Sequence, residues 1–105
     1  MYSNSLRDDI QKFFGILLPI SGGQGGSIDD PIVIEVENGM GVSVEYDVLK
    51  YIYTLSGKRF TFVGQSTLEK DGKYIDKLQV QIEGEPDNYR NLYFDISRFY
   101  GKNIG

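Results

Sequence analysis

The chain has no cysteine, no histidine and no tryptophan, and only three prolines in 105 residues. Without cysteine there is no disulfide framework, no thiolate nucleophile and no thiolate zinc site. Without histidine, the side chain that most readily moves protons near neutral pH is missing. Together these absences remove Ser-His-Asp and Cys-His catalysis and leave only carboxylate, lysine or tyrosine chemistry. No apolar run approaches the ~20 residues that a membrane span needs. The longest, Phe13 to Ile20, is broken by Gly15 and Pro19 and follows Arg7-Asp8-Asp9. It therefore lacks the basic flank and small-residue cleavage site of a signal peptide, and a cytoplasmic location is expected.

Basic residues are missing over a long stretch. From Phe13 to Leu49 there is no lysine or arginine, while Asp29, Asp30, Glu35, Glu37, Glu45 and Asp47 all fall there. From Lys50 onward nine basic residues face seven acids, and the formal net charge is −4. An acidic block repels nucleic-acid phosphates and attracts cationic surfaces, so the expected partner is a basic protein, not nucleic acid or a membrane. The plainer reading is a solvated face that keeps a small domain soluble.

At this length the chain is one domain, with apolar (40%) and charged (25%) fractions ordinary for a folded protein. Leu6, Ile10, Phe13, Phe14 and Leu17 recur at helical spacing and predict a helix over 5–18, capped by Ser5 and stopped by Pro19. Residues 31–37 alternate, with Ile32, Ile34 and Val36 on one face, which predicts a half-buried strand. A second helix over 44–56, capped by Ser43, would face Val44, Val48, Tyr51, Ile52 and Leu55 inward and end at Gly57. Strands over 59–68, 74–83 and 89–97 follow, the last pointing Leu92, Phe94 and Ile96 inward. The order α-β-α-β-β-β predicts an α+β two-layer sandwich, with two helices on a four-stranded, mainly antiparallel sheet.

Hydrophobic register bears on the turn between the first two of these strands. A two-residue Asp71-Gly72 loop would set Phe62 opposite Gln81. A three-residue loop, Lys70-Asp71-Gly72, sets Phe60 opposite Ile82, Phe62 opposite Val80 and Leu68 opposite Tyr74, with Gly72 at the position that needs a left-handed residue. The three-residue loop is therefore expected. The outer sheet face would then carry Thr61, Val63, Gln65, Thr67, Ile75, Lys77, Gln79, Gln81 and Tyr93.

The glycine-rich stretch Gly22-Gly23-Gln24-Gly25-Gly26 is not a phosphate loop, because such loops run strand, loop, helix. Here the order is helix, loop, strand, and Asp29 and Asp30 follow to repel an anion. The stretch is expected to be a flexible connector that reverses the chain. Asp29 and Asp30 read as turn formers before Pro31, since the spacing of a calcium loop is absent. Neither a metal nor another cofactor is expected. Glu35 and Glu37 would sit ~7 Å apart on one strand face, a carboxylate spacing that glycosidases use, but alternating acids are more simply a strand's wet side.

The segment from Pro19 to Glu35, together with Tyr93-Phe-Asp-Ile-Ser-Arg-Phe-Tyr-Gly101, resembles small uncharacterised bacterial α+β proteins. Some of these resemble the immunity proteins that neutralise polymorphic toxins. The resemblance implies a stoichiometric protein-binding role and carries over no functional residue. The expected function is thus a non-enzymatic interaction domain, an immunity-type inhibitor of a basic partner being one form of it. The alternative is a small-ligand binder or a carboxylate- or tyrosine-based enzyme. The residues expected to meet the partner are Glu35, Glu37, Glu45 and Asp47, with Tyr89 and Tyr93 as amphipathic contacts.

Overall fold

The computed structural model describes residues 6–37 and 40–100. Helix α1 (Leu6–Phe14) buries Leu6 and Ile10, one turn apart. It stops short of Pro19 because Gly15 takes a left-handed φ of +70°. Of the expected stripe, Phe13 near the end of the helix and Leu17 beyond it are exposed. The expected Ser5 cap lies outside the described residues.

Helix α2 (Gly41–Leu55) begins earlier than the sequence suggests, and its N-cap, Met40, makes no side-chain cap bond; Ser43 lies inside the first turn. Gly41 fits there because a Cβ would meet the Phe99 ring at 2.4 Å. The C-terminus follows expectation. Gly57 has φ +69°, its N–H bonds the Thr54 carbonyl (3.1 Å), and the Lys58 N–H bonds that of Tyr53 (2.9 Å). This is the paired-bond left-handed cap.

The sheet has five strands, β1 (Ile20–Gly22), β2 (Ile32–Ile34), β3 (Phe60–Lys70), β4 (Lys73–Ile82) and β5 (Tyr89–Asp95), in the order β1-β2-β5-β4-β3. It is mixed, because β2 runs parallel to β5 while the other pairs are antiparallel. The four-stranded expectation thus misses β1, three residues hidden at the end of the apolar run. One continuous core unites Ile10 of α1 and Val48 and Leu49 of α2 with Ile20, Ile32, Ile34, Leu78, Val80, Ile82 and Phe94 of the sheet.

The β3–β4 turn corrects the register argument. Lys70 pairs with Lys73, so the loop is the two-residue Asp71-Gly72. Both residues are left-handed (φ +52° and +79°), as a type I′ turn requires. Phe60 still meets Ile82 and Phe62 still meets Val80, because a bulge between Phe62 and Gly64 shifts the register by one. The extra residue sits in the strand, not in the turn. As a result Gln65 and Thr67, expected on the outer face, pair with Leu78 and Asp76 and lie on the helix side, while Leu68 faces Ile75 opposite.

Candidate functional site

The six acids that stand together in sequence are largely answered in space. Glu35, at the end of β2, accepts a hydrogen bond from the Ser21 hydroxyl of β1 and pairs with the Arg98 guanidinium at 3.2 Å. The same guanidinium reaches Glu37 at 3.6 Å. Asp29 pairs with Lys70, and Asp30 accepts the Gln24 backbone N–H at 3.2 Å. Arg98 and Lys70 both come from the basic half of the chain. The charge asymmetry of the sequence is thus partly cancelled by the fold.

Glu45 departs furthest from expectation, for it is 0% exposed and cannot meet a partner. The spacing that buries it is visible in hindsight, since Gly41, Glu45, Val48, Leu49 and Ile52 share one face of α2. Glu45 faces Asp76, an acid on the apolar face of β4 beside Leu78 and Val80. Asp76 is itself buried and accepts from Thr67 Oγ1 (2.8 Å) and Gln65 Nε2 (2.5 Å). Neither carboxylate oxygen of Glu45 has a donor among the described residues. Burial, and then the neighbouring Asp76, push the Glu45 pKa from 4.5 to about 9. At neutral pH Glu45 is therefore a neutral acid, and its own proton is what it can offer to Asp76.

The other expected contacts do not converge. Asp47 is exposed on α2. Tyr89 is exposed and Tyr93 half-buried, and both lie on the sheet face opposite Leu92 and Phe94, away from the helices. Glu45 in the core, Asp47 on the helix layer and the tyrosines beneath the sheet cannot form one surface.

The glycine stretch is a built hairpin loop between β1 and β2, not a slack connector. Gly23 N–H bonds the Pro31 carbonyl (2.9 Å) and Gly25 N–H that of Asp30 (2.8 Å), while the Gly25 carbonyl accepts from Tyr93 N–H (2.9 Å). Gly25 is buried with φ +82°, and a Cβ there would stand 2.8 Å from Ile32 Cδ1. The turn-forming role of the aspartates fits, since Asp30 N–H closes on the Ser27 carbonyl (3.1 Å).

Among the described residues, no group of three acids comes together to hold a metal ion. An open groove of about 560 Å³ lies between the helices, lined by Asp9, Phe13, Phe14, Thr54 and Leu55. No helix of the described residues is long and apolar enough to cross a membrane.

The feature with most capacity for recognition is the sheet edge. β3 is the last strand of the sheet and runs for eleven residues, with no strand among the described residues paired to its outer side. Phe62 (41%) and Val63 (47%) are exposed there, and the Tyr46 ring of α2 meets Phe62 edge-on at 5.6 Å. Sequence reading passed over this edge because strand order is not written in hydrophobic alternation. Comparison with protein families, with curated proteins and with solved structures finds no match to this chain.

Proposed function

We propose that the chain is a non-enzymatic protein-interaction domain that engages its partner along the outer edge of β3. The observation that carries this reading is the length of that edge. Natural sheets keep edge strands short, charged or covered, because free N–H and C=O groups recruit other strands. Here eleven residues end the sheet with exposed Phe62 and Val63 at one end of the strand. A partner strand added there would gain main-chain hydrogen bonds, and the aromatic patch of Phe62 and Tyr46 would add side-chain selectivity.

A net charge of −4 favours a basic partner through long-range attraction, even with Glu35, Glu37 and Asp29 locally paired. A stoichiometric inhibitor of the immunity type is one role that such an edge would serve. An enzyme is the weaker reading, since the carboxyl with the most altered proton affinity is sealed from solvent.

The test is a photo-reactive residue in place of Phe62, activated in the native host, with a second probe at the exposed loop residue Asp87 as control. The expected result is a discrete adduct of defined stoichiometry from position 62 alone, lost when Val63→Lys is added. The same set of adducts from both positions would defeat the proposal.

A further inference from the structure

We propose that the uncovered face of the sheet binds a neutral oligosaccharide, with Tyr89 and Tyr93 under its rings and the amides between them holding its hydroxyls. This surface lies across the strands, apart from the β3 edge.

Register fixes what the face presents. The helices pack against Leu78, Val80 and Phe94, and no helix among the described residues covers the opposite side. Three consecutive rows run there across β4 and β5, with Gln81 beside Tyr89, Gln79 beside Asn91 and Lys77 beside Tyr93. On β3 the same rows continue as Thr61, Gly64 and Ser66, all small. Tyr89 and Asn91 are exposed, while Tyr93, Gln79 and Lys77 are half-buried. Gln81 is anchored by donating to the Pro86 carbonyl (2.6 Å). The side chains of the other five on β4 and β5 make no hydrogen bond or ion pair with another described residue.

Charge decides the chemistry of the occupant. The chain holds 15 acids, yet none stands in these rows, and Lys77 is their one base. A cationic ligand would find no carboxylate here. A nucleic-acid strand would set its run of phosphates against one ammonium, on a chain of net charge −4. A protein partner would find no leucine, isoleucine or valine in the paired positions of these rows to bury. A neutral polar ligand meets none of these obstacles. An acid only accepts hydrogen bonds and a lysine only donates them, but an amide and a phenol do both, as a hydroxyl does. A sugar ring has hydroxyls around its rim and C–H groups on its faces, which suits amides flanked by amphipathic aromatics.

Spacing sets the size of the ligand. Tyr89 and Tyr93 are four residues apart on one strand, or ~13 Å, with Asn91 and Gln79 in the row between them. That is more than one sugar ring spans, so the ligand is an oligomer.

Electrophoresis of the native chain through gels containing a β-glucan, an α-glucan, a mannan or a galactan tests the inference. At least one polymer should retard it. In calorimetry, a hexasaccharide of that polymer should bind and the free monosaccharide should not. Tyr89→Ala and Tyr93→Ala should each weaken hexasaccharide binding roughly tenfold, and Asn91→Ala about threefold to tenfold. Tyr89→Phe, which keeps the ring, should stay within about threefold of wild type. Phe62→Ala, on the helix side of the sheet, should leave binding unchanged. Tyr89 and Asn91 are exposed, and an unchanged circular dichroism spectrum separates loss of binding from loss of fold. Free migration through all four gels overturns the inference. So does retention that survives both Tyr89→Ala and Asn91→Ala, since another face would then be in use. Binding of oligodeoxythymidylate that depends on Tyr89 and falls steeply with salt would also overturn it, giving the face to single-stranded nucleic acid.

Discussion

Glu45 on α2 faces Asp76 on β4 in the core, and Thr67 and Gln65 of β3 hold the second acid in place. This pair ties the helix layer to the outermost hairpin, and it makes stability depend on pH in a definite direction.

In the unfolded chain Glu45 ionises near 4.5, whereas in the folded chain it keeps its proton up to about 9. The native state thus binds the extra proton across that window. Its stability is greatest below about pH 4.5 for this group and falls as pH rises, by up to ~1.4 kcal/mol per pH unit, before levelling off above about 9. Glu45→Gln should remove this slope and stabilise the protein at pH 8, since the amide can still donate to Asp76. Urea unfolding of both proteins at pH 5, 7 and 9 checks it. Parallel curves would mean that Glu45 is not the group responsible.

The glycine loop gives a contrast between neighbours. Gly25→Ala should cost roughly 1–3 kcal/mol, because it combines a left-handed φ with a clash against Ile32. Gly26→Ala, with open space around its Cβ and no positive φ, should stay within about 0.5 kcal/mol of wild type. Thermal melts of the two variants decide the matter, and equal effects would mean that the loop is not packed as described.

Arg98 is expected to matter for charge more than for folding. It is half-exposed between Glu35 and Glu37, and such pairs contribute at most about 1 kcal/mol. Arg98→Ala should lower the melting temperature only slightly while making stability more dependent on salt, as the two acids lose their common counter-charge. A large loss of stability at every salt concentration would assign Arg98 a packing role instead.

The bulge can be tested by deletion. Removing Val63 should leave Phe60 opposite Ile82 and Phe62 opposite Val80, because the bulge already places one more residue on β3 than on β4. Removing Ser66 should instead move Gln65 out of reach of Asp76 and destabilise by several-fold more. Comparing the two denaturation midpoints settles whether the extra residue belongs at Val63; equal losses would place it elsewhere.

The helices and the long strands were legible in the sequence because each has an apolar face repeating at its own period. What was missed has specific causes. A register that must be shifted by one residue can be satisfied in the turn or in the strand, and facing hydrophobics at 60–62 cannot tell the two apart. Asp71-Gly72 could adopt the tighter turn, and did. Glu45 was read by its charge, although its position on the helix is that of a core residue. β1 was invisible because three residues beside a glycine run carry no period. The expected surface of Glu35, Glu37, Glu45, Asp47, Tyr89 and Tyr93 was drawn along the chain, whereas surfaces are drawn across elements.

The parallel contact of β2 with β5 joins Ile32 to Phe94 across most of the chain, while the β3-β4-β5 meander is built from neighbours in sequence. Loop closure over so long a span is entropically expensive and comes late. During synthesis the β1–β2 hairpin can therefore close on itself, but it leaves the ribosome long before the strand that β2 must join on its other side. The last strand is the one that seats its isoleucines, so the two parts of the sheet join only after β5 has been made.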